Sequence, residues 1–525
     1  MELRSPTLDM PGDRGSASTE GMTPTLQLAD GASFRAVREF LRSANFNEGA
    51  VCRALGLENM GELGKVQLQK PDLTKCESRL RWCIEVFVLG QRASGEPSRT
   101  ICGEPALAAL DALGLIRPSR KEPEKVLCPF WLYPAAGFLI TSDRREDPED
   151  EPFRPAADVV FPAIYPGTLR FLQLLPDVRM GDALDLCGGT GIGALQLSRT
   201  SRQAVTTDLT PRSALFAEFN ARLNDASVAS LCGDVYSPIG DRQFDVISAH
   251  PPFVPATGDT MVYRDGGATG EEVTRRIIEG VPAHLRPGGT CVVLCVARDT
   301  QEQTFEQRAS EWLGRERDGF EIIFGLEKIL SVEEVVDSMR KRGQELGDAR
   351  AENLLNRLRS LGTRQFVYGA LWIKRDANEL GNDPQQQSKR LRRVRMTPTG
   401  SAADFERLLA WQDRCRQPRF HEWLAQSRPR LAPELELRAR HIVKAGELVP
   451  AEFVFSIEAG FEAALHPDGW VVPLIARLEG KLSVAEVYEN ARAAQEMPKG
   501  FHLKDFADLF SVMIDRGFLV LSDVG

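Results

Sequence analysis

The central part of this chain is predicted to be an α/β domain, a largely parallel sheet with helices on both faces. Three observations predict it. Short apolar runs with β-branched residues, ALDLC, QAVTTD, FDVISAH and TCVVLCVA, recur from Ala183 onward. Helix-like stretches such as PRSALFAEFNARLND and EEVTRRIIEGVPAHL lie between them. A glycine-rich turn follows the first run and leads into ALQLS. Strands separated by crossover helices pair in parallel and need cover on both faces.

The 525 residues exceed one ordinary core, so the chain should hold two to four domains. Residues 1–32, rich in Gly, Ser, Pro and Thr, read as a flexible tail. Residues 33–150 carry helical patterns (ESRLRWCIEVFVLG, LAALDALGLIRPS) and then a hairpin pattern, VLCPFWLYP and GFLITSD; helices followed by a hairpin suggest a winged-helix-like domain. The polar run DRREDPEDEP links it to the α/β domain, residues 151–400. FEIIFGLEKIL and RQFVYGALWIKR close that sheet, and a helical insert at 331–362 separates them, longer than an ordinary connection. The insert is either a cap over the substrate site or a peripheral elaboration. LRRVRM, after the polar break ANELGNDPQQQS, should add an edge strand. Residues 401–525 end in turn, helix, turn, helix, helix, strand, a second winged-helix-like pattern. That segment resembles the peptide-binding modules related to the pyrroloquinoline-quinone carrier protein; a packing or dimerisation domain is the alternative.

Composition narrows the function classes. No apolar run reaches the roughly 20 residues of a membrane span, and the N-terminus lacks the apolar core of a secretory signal. The ten cysteines form no CxxC pair, and Cys83, Cys291 and Cys295 fall in apolar stretches. A reducing, cytoplasmic setting without a metal site is expected. The net charge of −9 disfavours a dedicated nucleic-acid binder. One basic run, Lys389, Arg390, Arg392, Arg393 and Arg395, is read first as a solvated face and second as a phosphate contact.

Four motifs carry the chemistry. Asp185-Leu-Cys-Gly-Gly-Thr-Gly-Ile-Gly193 runs from a strand into a glycine turn and a helix, where Gly189, Gly191 and Gly193 let a ligand approach the backbone. The spacing is not GxGxxG and no Walker lysine follows, which weakens dinucleotide and nucleoside triphosphate readings. Asp208 closes the second strand about 20 residues on, where a carboxylate can accept from ribose hydroxyls, with Leu209 beside it. Gly233-Asp234-Val235 follows the next crossover, where Asp234 can accept from an adenine amino group. Singly each aspartate is an ordinary cap or turn residue; in this order they form an adenosine-binding rim. The fourth motif is His250-Pro251-Pro252-Phe253, directly after FDVISAH.

Together these residues resemble the class I S-adenosylmethionine-dependent methyltransferases that carry Asn/Asp-Pro-Pro-Tyr/Phe after the fourth strand, among them the release-factor glutamine and exocyclic-amine methyltransferases. The resemblance implies a Rossmann-like methyltransferase sheet of seven strands and S-adenosyl-L-methionine as cofactor. It implies that Asp185 and the Gly189–Gly193 turn cradle the methionine end, that Asp208 with Leu209 holds ribose, and that Asp234 with Val235 lies beside adenine. Tyr165, Pro166 and Gly167 match the cofactor and substrate entrance. His250, Pro251 and Phe253 take the catalytic place, the first residue aiming the acceptor nitrogen at the methyl group and the aromatic stacking on a planar acceptor.

The chain departs from the pattern at His250, whose imidazole presents a donor and an acceptor in another geometry than an amide. Three readings follow: a positioner, a general base, or a packing residue. Tyr263-Arg264-Asp265-Gly266-Gly267 resembles a loop of large bacterial methyltransferases; Tyr263 and Arg264 are candidate substrate contacts, and Arg264 and Asp265 can equally cap the following helix. The expected function is N-methylation of a peptide, protein or small molecule, by a possible homodimer. The alternatives are an RNA or DNA base methyltransferase, and a non-catalytic cofactor-binding protein whose winged helices bind a partner.

Overall fold

A sheet of eleven strands runs through the computed structural model, which describes residues 25–63, 71–152, 156–179, 181–256, 261–341, 347–377 and 390–521. Residues 1–24 of the expected tail, Lys389 and most of the polar break lie outside the described residues. The strands are β1 Asp182–Leu186, β2 Gln203–Asp208, β3 Val228–Cys232, β4 Phe244–Ala249, β5 Leu285–Thr300, β6 Phe320–Leu330, β7 Thr363–Arg375, β8 Leu391–Met396, β9 Glu436–Lys444, β10 Glu447–Ile457 and β11 Phe461–Leu465. Their spatial order is β9-β10-β11-β8-β6-β7-β5-β4-β1-β2-β3.

The parallel half forms as the apolar runs predict. β3, β2, β1, β4 and β5 are parallel neighbours. They are joined by α2 Ile192–Ser198, α3 Pro211–Leu223 and α4 Glu272–His284. A further helix, α1 Pro166–Gln173, precedes β1. Alternate residues of β5 enter opposite cores: Val292 and Leu294 face one, Cys291, Val293 and Cys295 the other. Both faces are thus buried, as parallel strands require.

The count of seven strands needs correction. β7 runs antiparallel between β5 and β6, and the sheet does not stop there. LRRVRM is no edge strand: β8 lies parallel to β6 on one side and antiparallel to β11 on the other. A β6 edge left open would expose a row of unpaired N–H and C=O groups, and β8 closes it. The sheet therefore crosses the boundary expected at residue 400, through β9, β10 and β11.

Three arginines of the basic run are held by carboxylates within the fold, while Arg395 is exposed, as a solvated face would be. Arg390 pairs with Asp376 at 2.7 Å, Arg392 with Asp515 at 2.7 Å, and Arg393 with buried Asp299 at 2.7 Å and Glu306 at 2.6 Å. Arg395 lies 3.8 Å from Glu462. β8 is central to the sheet, so its arginines meet carboxylates of the elements around it.

The tail also ends earlier than expected. Leu26 is buried, Gln27 N–H donates to the Leu113 carbonyl over 3.1 Å, and a helix begins at Gly31. The N-terminal region then runs through helices Ser78–Cys83, Gly95–Cys102 and Glu104–Ala112 and a three-stranded antiparallel sheet of 93–94, 125–127 and 117–118 in that spatial order. The hairpin Trp131–Ala135 and Phe138–Ser142 forms as read, yet stands apart from that sheet. Asn220 of α3 and its C-cap Asn224 accept from the hairpin's Thr141 and Leu139 N–H groups at 2.8 Å. Phe130 also packs edge-on against Phe216 of α3. The hairpin thereby couples the N-terminal region to the α/β domain.

The insert comprises α6 Val332–Lys341 and α7 Asp348–Ser360, between β6 and β7; α5, Phe305–Trp312, precedes β6. Residues 402–521 add helices Ala402–Arg416, Phe420–Gln426, Val484–Ala493 and Leu503–Asp515 around a separate apolar core. No helix among the described residues is long and apolar enough to cross a membrane.

Candidate functional site

Asp185 and His250 mark the C-terminal ends of neighbouring strands, β1 and β4, with Asp208 at the end of β2 and Asp234 just beyond β3. In an open α/β sheet ligands bind at this rim. Sequence reasoning placed all four there, and the topology brings them together.

Asp185 is almost fully buried. Its carboxylate accepts from Ser248 Oγ at 2.7 Å and from Ala194 N–H at 3.1 Å. It ties β1 to β4 and to the first turn of α2. Burial pushes its pKa up to about 7 against these hydrogen bonds. A Cβ on Gly193 would stand 2.5 Å from Asp185 Oδ2, so only glycine fits there. Asp185 thus supports the turn from below. Gly189, at φ +54°, has open space where a Cβ would be. Its N–H donates to Asp208 Oδ2 over 2.9 Å. Gly191 is the N-cap of α2.

Asp208 also accepts from Thr210 N–H at 3.2 Å, and burial raises its pKa. Leu209 beside it is 54% exposed, an apolar surface at the rim. Asp234 is half-exposed and paired with Arg276 of α4. Two residues here hold left-handed backbone without being glycine: Cys187 at φ +57° and Val235 at φ +49°. A β-branched residue in that region is strained, and such strain gathers at ligand sites. Thr207 Oγ1 donates to the Val235 carbonyl at 2.9 Å and helps hold it.

His250 lies against Phe171 of α1, the rings stacked at 5.5 Å, with Phe253 tilted at 6.1 Å on another side. A Cβ on Gly167 would come 3.6 Å from His250 Cε1. Desolvation lowers the imidazole pKa to about 4. At neutral pH the ring is uncharged. Pro251 is buried; Phe253 is partly exposed.

The loop after the motif folds back on it. Val254 N–H donates to the Arg264 carbonyl and Gly266 N–H to the Val254 carbonyl, at 3.0 and 2.9 Å. Arg264 and Asp265 turn inward and approach each other to 3.4 Å. Asp265 accepts from Met261 N–H at 3.1 Å, closing the loop, and neither residue caps α4. The loop is anchored by buried Glu271, which meets Arg298 at 2.6 Å and Arg308 at 2.8 Å. Arg357 of the insert donates to the Ala256 carbonyl at 2.9 Å, and Val254 packs against the insert's apolar core.

Tyr263 belongs to an arrangement the sequence did not reveal. Its ring stacks on Phe161 at 5.0 Å, and Phe161 stacks on Tyr165 at 4.5 Å. The Arg145 guanidinium covers Tyr165 at 5.4 Å from the ring centre. This ladder adjoins the motif, since Tyr165 stands two residues from Gly167. Phe161 and Arg145 were missed because the ladder joins them and Tyr165 to Tyr263, which is remote in sequence. Ser248 was missed too, though a lone hydroxyl in FDVISAH was a usable signal. Among the described residues all ten cysteines are free, and no group of acidic, histidine or cysteine side chains is arranged to hold a metal ion.

These features fit S-adenosylmethionine: an open cradle at Gly189, a carboxylate at the second strand end, an apolar Leu209 rim and strained backbone at the third. Comparison with known proteins agrees. Residues 162–322 match the family model described as the methyltransferase small domain. A Methanocaldococcus jannaschii protein named as a protein N5-glutamine methyltransferase is 26% identical over 164 residues, 30% of this chain and 78% of that protein. A release factor glutamine methyltransferase of Geobacter sulfurreducens is 31% identical over 21% of this chain and 43% of its own length. A ribosomal protein uL3 glutamine methyltransferase of Bradyrhizobium diazoefficiens is 32% identical over 25% of this chain and 46% of its own. The chain therefore spans most of the archaeal relative and under half of the two bacterial ones. Residues 162–322 therefore form an S-adenosylmethionine-dependent methyltransferase domain, similar over this stretch to glutamine methyltransferases, with His250 where the Asn/Asp-Pro-Pro-Tyr/Phe motif has its first residue.

Proposed function

We propose that the protein methylates a nitrogen of a protein or peptide acceptor. The observation that carries this reading is the position of His250-Pro251-Pro252-Phe253 at the end of β4, beside the rim formed by Gly189, Asp208 and Asp234. The relatives' names, glutamine methyltransferases of release factor and ribosomal protein, support a protein acceptor.

In this reading Asp208 accepts from the ribose hydroxyls. Asp234 and Val235 border adenine, and the Gly189–Gly193 turn, held from beneath by Asp185, faces the methionine end. The cofactor supplies an electrophilic methyl group on a sulfonium. The chain's own part is to present an acceptor nitrogen in line with it, where orientation contributes most of the rate. With a pKa near 4, His250 is a weak base at neutral pH, so we assign it to positioning: one ring nitrogen accepts from, or donates to, the acceptor group. Pro251 fixes the motif's backbone. Phe253 and the ladder of Tyr165, Phe161 and Tyr263 wall the acceptor entrance, and Arg264 acts by shaping the loop that carries Tyr263.

The pairing of Arg390, Arg392 and Arg393 with carboxylates disfavours the nucleic-acid alternative, because those cations are already neutralised within the fold. We read residues 33–150 and 401–525 as winged-helix-like flanks. Helix, strand, helix, helix and two further strands in the N-terminal region support this reading for the first. The strands 429–431 and 519–521, antiparallel around three helices, support it for the second. A cytoplasmic setting accords with the free cysteines.

The test is incubation of the purified protein with methyl-labelled cofactor and, separately, release factor, ribosomal protein uL3 and total RNA, followed by mass spectrometry. Label on a protein nitrogen is expected. Label confined to RNA would overturn the reading.

A further inference from the structure

The hairpin of β9 and β10 projects from the end of the sheet. Residues 444–447 turn through Ala445 at φ +52° and Gly446 at φ +85°, both left-handed, as a tight two-residue hairpin requires. All nine residues of β9 are exposed, and β9 is the sheet's last strand, with one row of backbone groups unpaired.

Its pairing register separates two faces. On one, Leu437, Ala439, His441 and Val443 stand opposite Phe455, Phe453, Pro450 and Leu448. On the other, Arg440 opposes Glu452 and Lys444 opposes Glu447, with Arg438 opposite Val454 and Ile442 opposite Val449 among them. Phe455 is buried at the root, whereas Val443 and Leu448 are each 72% exposed near the tip. An exposed arm with bare apolar side chains towards its tip and an open edge is a pairing surface.

The strand reads Glu436-Leu-Arg-Ala-Arg-His-Ile-Val-Lys444. If a second copy lies antiparallel about Arg440, Glu436 meets Lys444, Leu437 meets Val443 and Ala439 meets His441. Residues of like parity oppose one another, so Leu437, Ala439, His441 and Val443 of both copies share one face. The like charges at the axis are each already paired: Arg440 lies 2.9 Å from Glu452 of its own hairpin. Lys444 has no ion pair among the described residues, and Glu436 has only a 3.3 Å contact with Arg438. The ends of the strand are therefore open to a partner of complementary charge.

We propose that β9 is a homodimer interface, pairing edge to edge with β9 of a second copy in the register centred on Arg440. The surface lies outside the methyltransferase site and does not depend on the acceptor assigned above.

The test is sedimentation velocity on the full chain across micromolar concentrations. The wild type should be a dimer. Glu436→Lys and Lys444→Glu each place like charges opposite one another twice per dimer, and each should weaken association about tenfold. The double variant Glu436→Lys/Lys444→Glu should restore it. Val443→Glu should give monomer with an unchanged circular dichroism spectrum, since the residue is exposed. A monomeric wild type overturns the proposal, as does a double variant no better than the singles or a dimer indifferent to Val443→Glu. A monomer whose Val443→Glu form loses only acceptor methylation would assign the arm to the acceptor and equally overturn it.

Discussion

The backbone N–H of Gly189 donates to Oδ2 of Asp208 across 2.9 Å, so the carboxylate at the end of β2 also holds the glycine turn that follows β1. One side chain thereby organises two parts of the rim proposed to hold the cofactor. Removing it should open the turn as well as delete a ligand contact. Asp208→Ala should weaken S-adenosylhomocysteine binding by about 1–3 kcal/mol in calorimetry. Asp208→Asn, which keeps an acceptor for Gly189 but loses the charge, should fall between. Wild-type affinity in Asp208→Ala would remove that residue from the site.

His250 should contribute to turnover and not to cofactor affinity. His250→Ala is expected to bind S-adenosylhomocysteine normally and to lose roughly 10²–10⁴-fold in kcat. His250→Asn should recover part of that loss if the ring positions the acceptor. Because burial lowers the folded pKa to about 4 from the ordinary 6.5, the ring stays neutral across physiological pH. The wild-type rate should therefore show no step near pH 6.5 from this group. A rise in rate through that pH, absent in His250→Asn, would restore the general-base role. The same shift makes this residue's contribution to stability fall as pH drops from 6.5 towards 4, where the unfolded chain takes up a proton that the folded ring refuses.

Asp185 should show the opposite sign. Its folded pKa is raised to about 7 from 3.8. Between those values the folded protein holds a proton that the unfolded chain has lost, so unfolding free energy falls as pH rises through the interval. Asp185→Asn does not titrate and loses one acceptor for Ser248 or Ala194. It should be less stable than wild type at pH 5, and the gap should narrow by pH 8. Denaturant melts at both pH values decide this; a gap that widens would reverse the assignment.

Arg393→Ala leaves Asp299 and Glu306 buried with fewer partners. Breaking such a network by removing one member should destabilise the fold by about 3–5 kcal/mol. The same variant should leave any weak RNA affinity and its salt dependence unchanged, because Arg393 is held by carboxylates inside the molecule. A lower salt slope in filter binding would return this arginine to a phosphate-contact role.

Phe161→Ala breaks the ladder between Tyr165 and Tyr263. It should raise the KM for the acceptor several-fold with S-adenosylhomocysteine affinity unchanged. Equal loss in both would place the ladder at the cofactor instead.

The sequence by itself determined most of the parallel half of the sheet and which residues gather at its C-terminal rim. β1, β2, β4 and β5 contain apolar runs buried on both faces, and Asp185, Asp208 and His250 stand at strand ends, so strand position alone locates them, with Asp234 after the next crossover. Local order also placed the helical insert between β6 and β7. Tertiary structure decided what depends on distant partners. LRRVRM has the composition of a solvated edge, and only the carboxylates of Asp299, Glu306, Asp376 and Asp515, brought in from elsewhere, make it a central strand. Gly193 reads as one more flexible residue until Asp185 occupies the space of its Cβ. The neutrality of His250 is likewise absent from the motif, because it arises from burial against Phe171, nearly eighty residues upstream. Periodicity reports which side a residue buries, whereas charge state, stacking and strand adjacency depend on what the rest of the chain places against it.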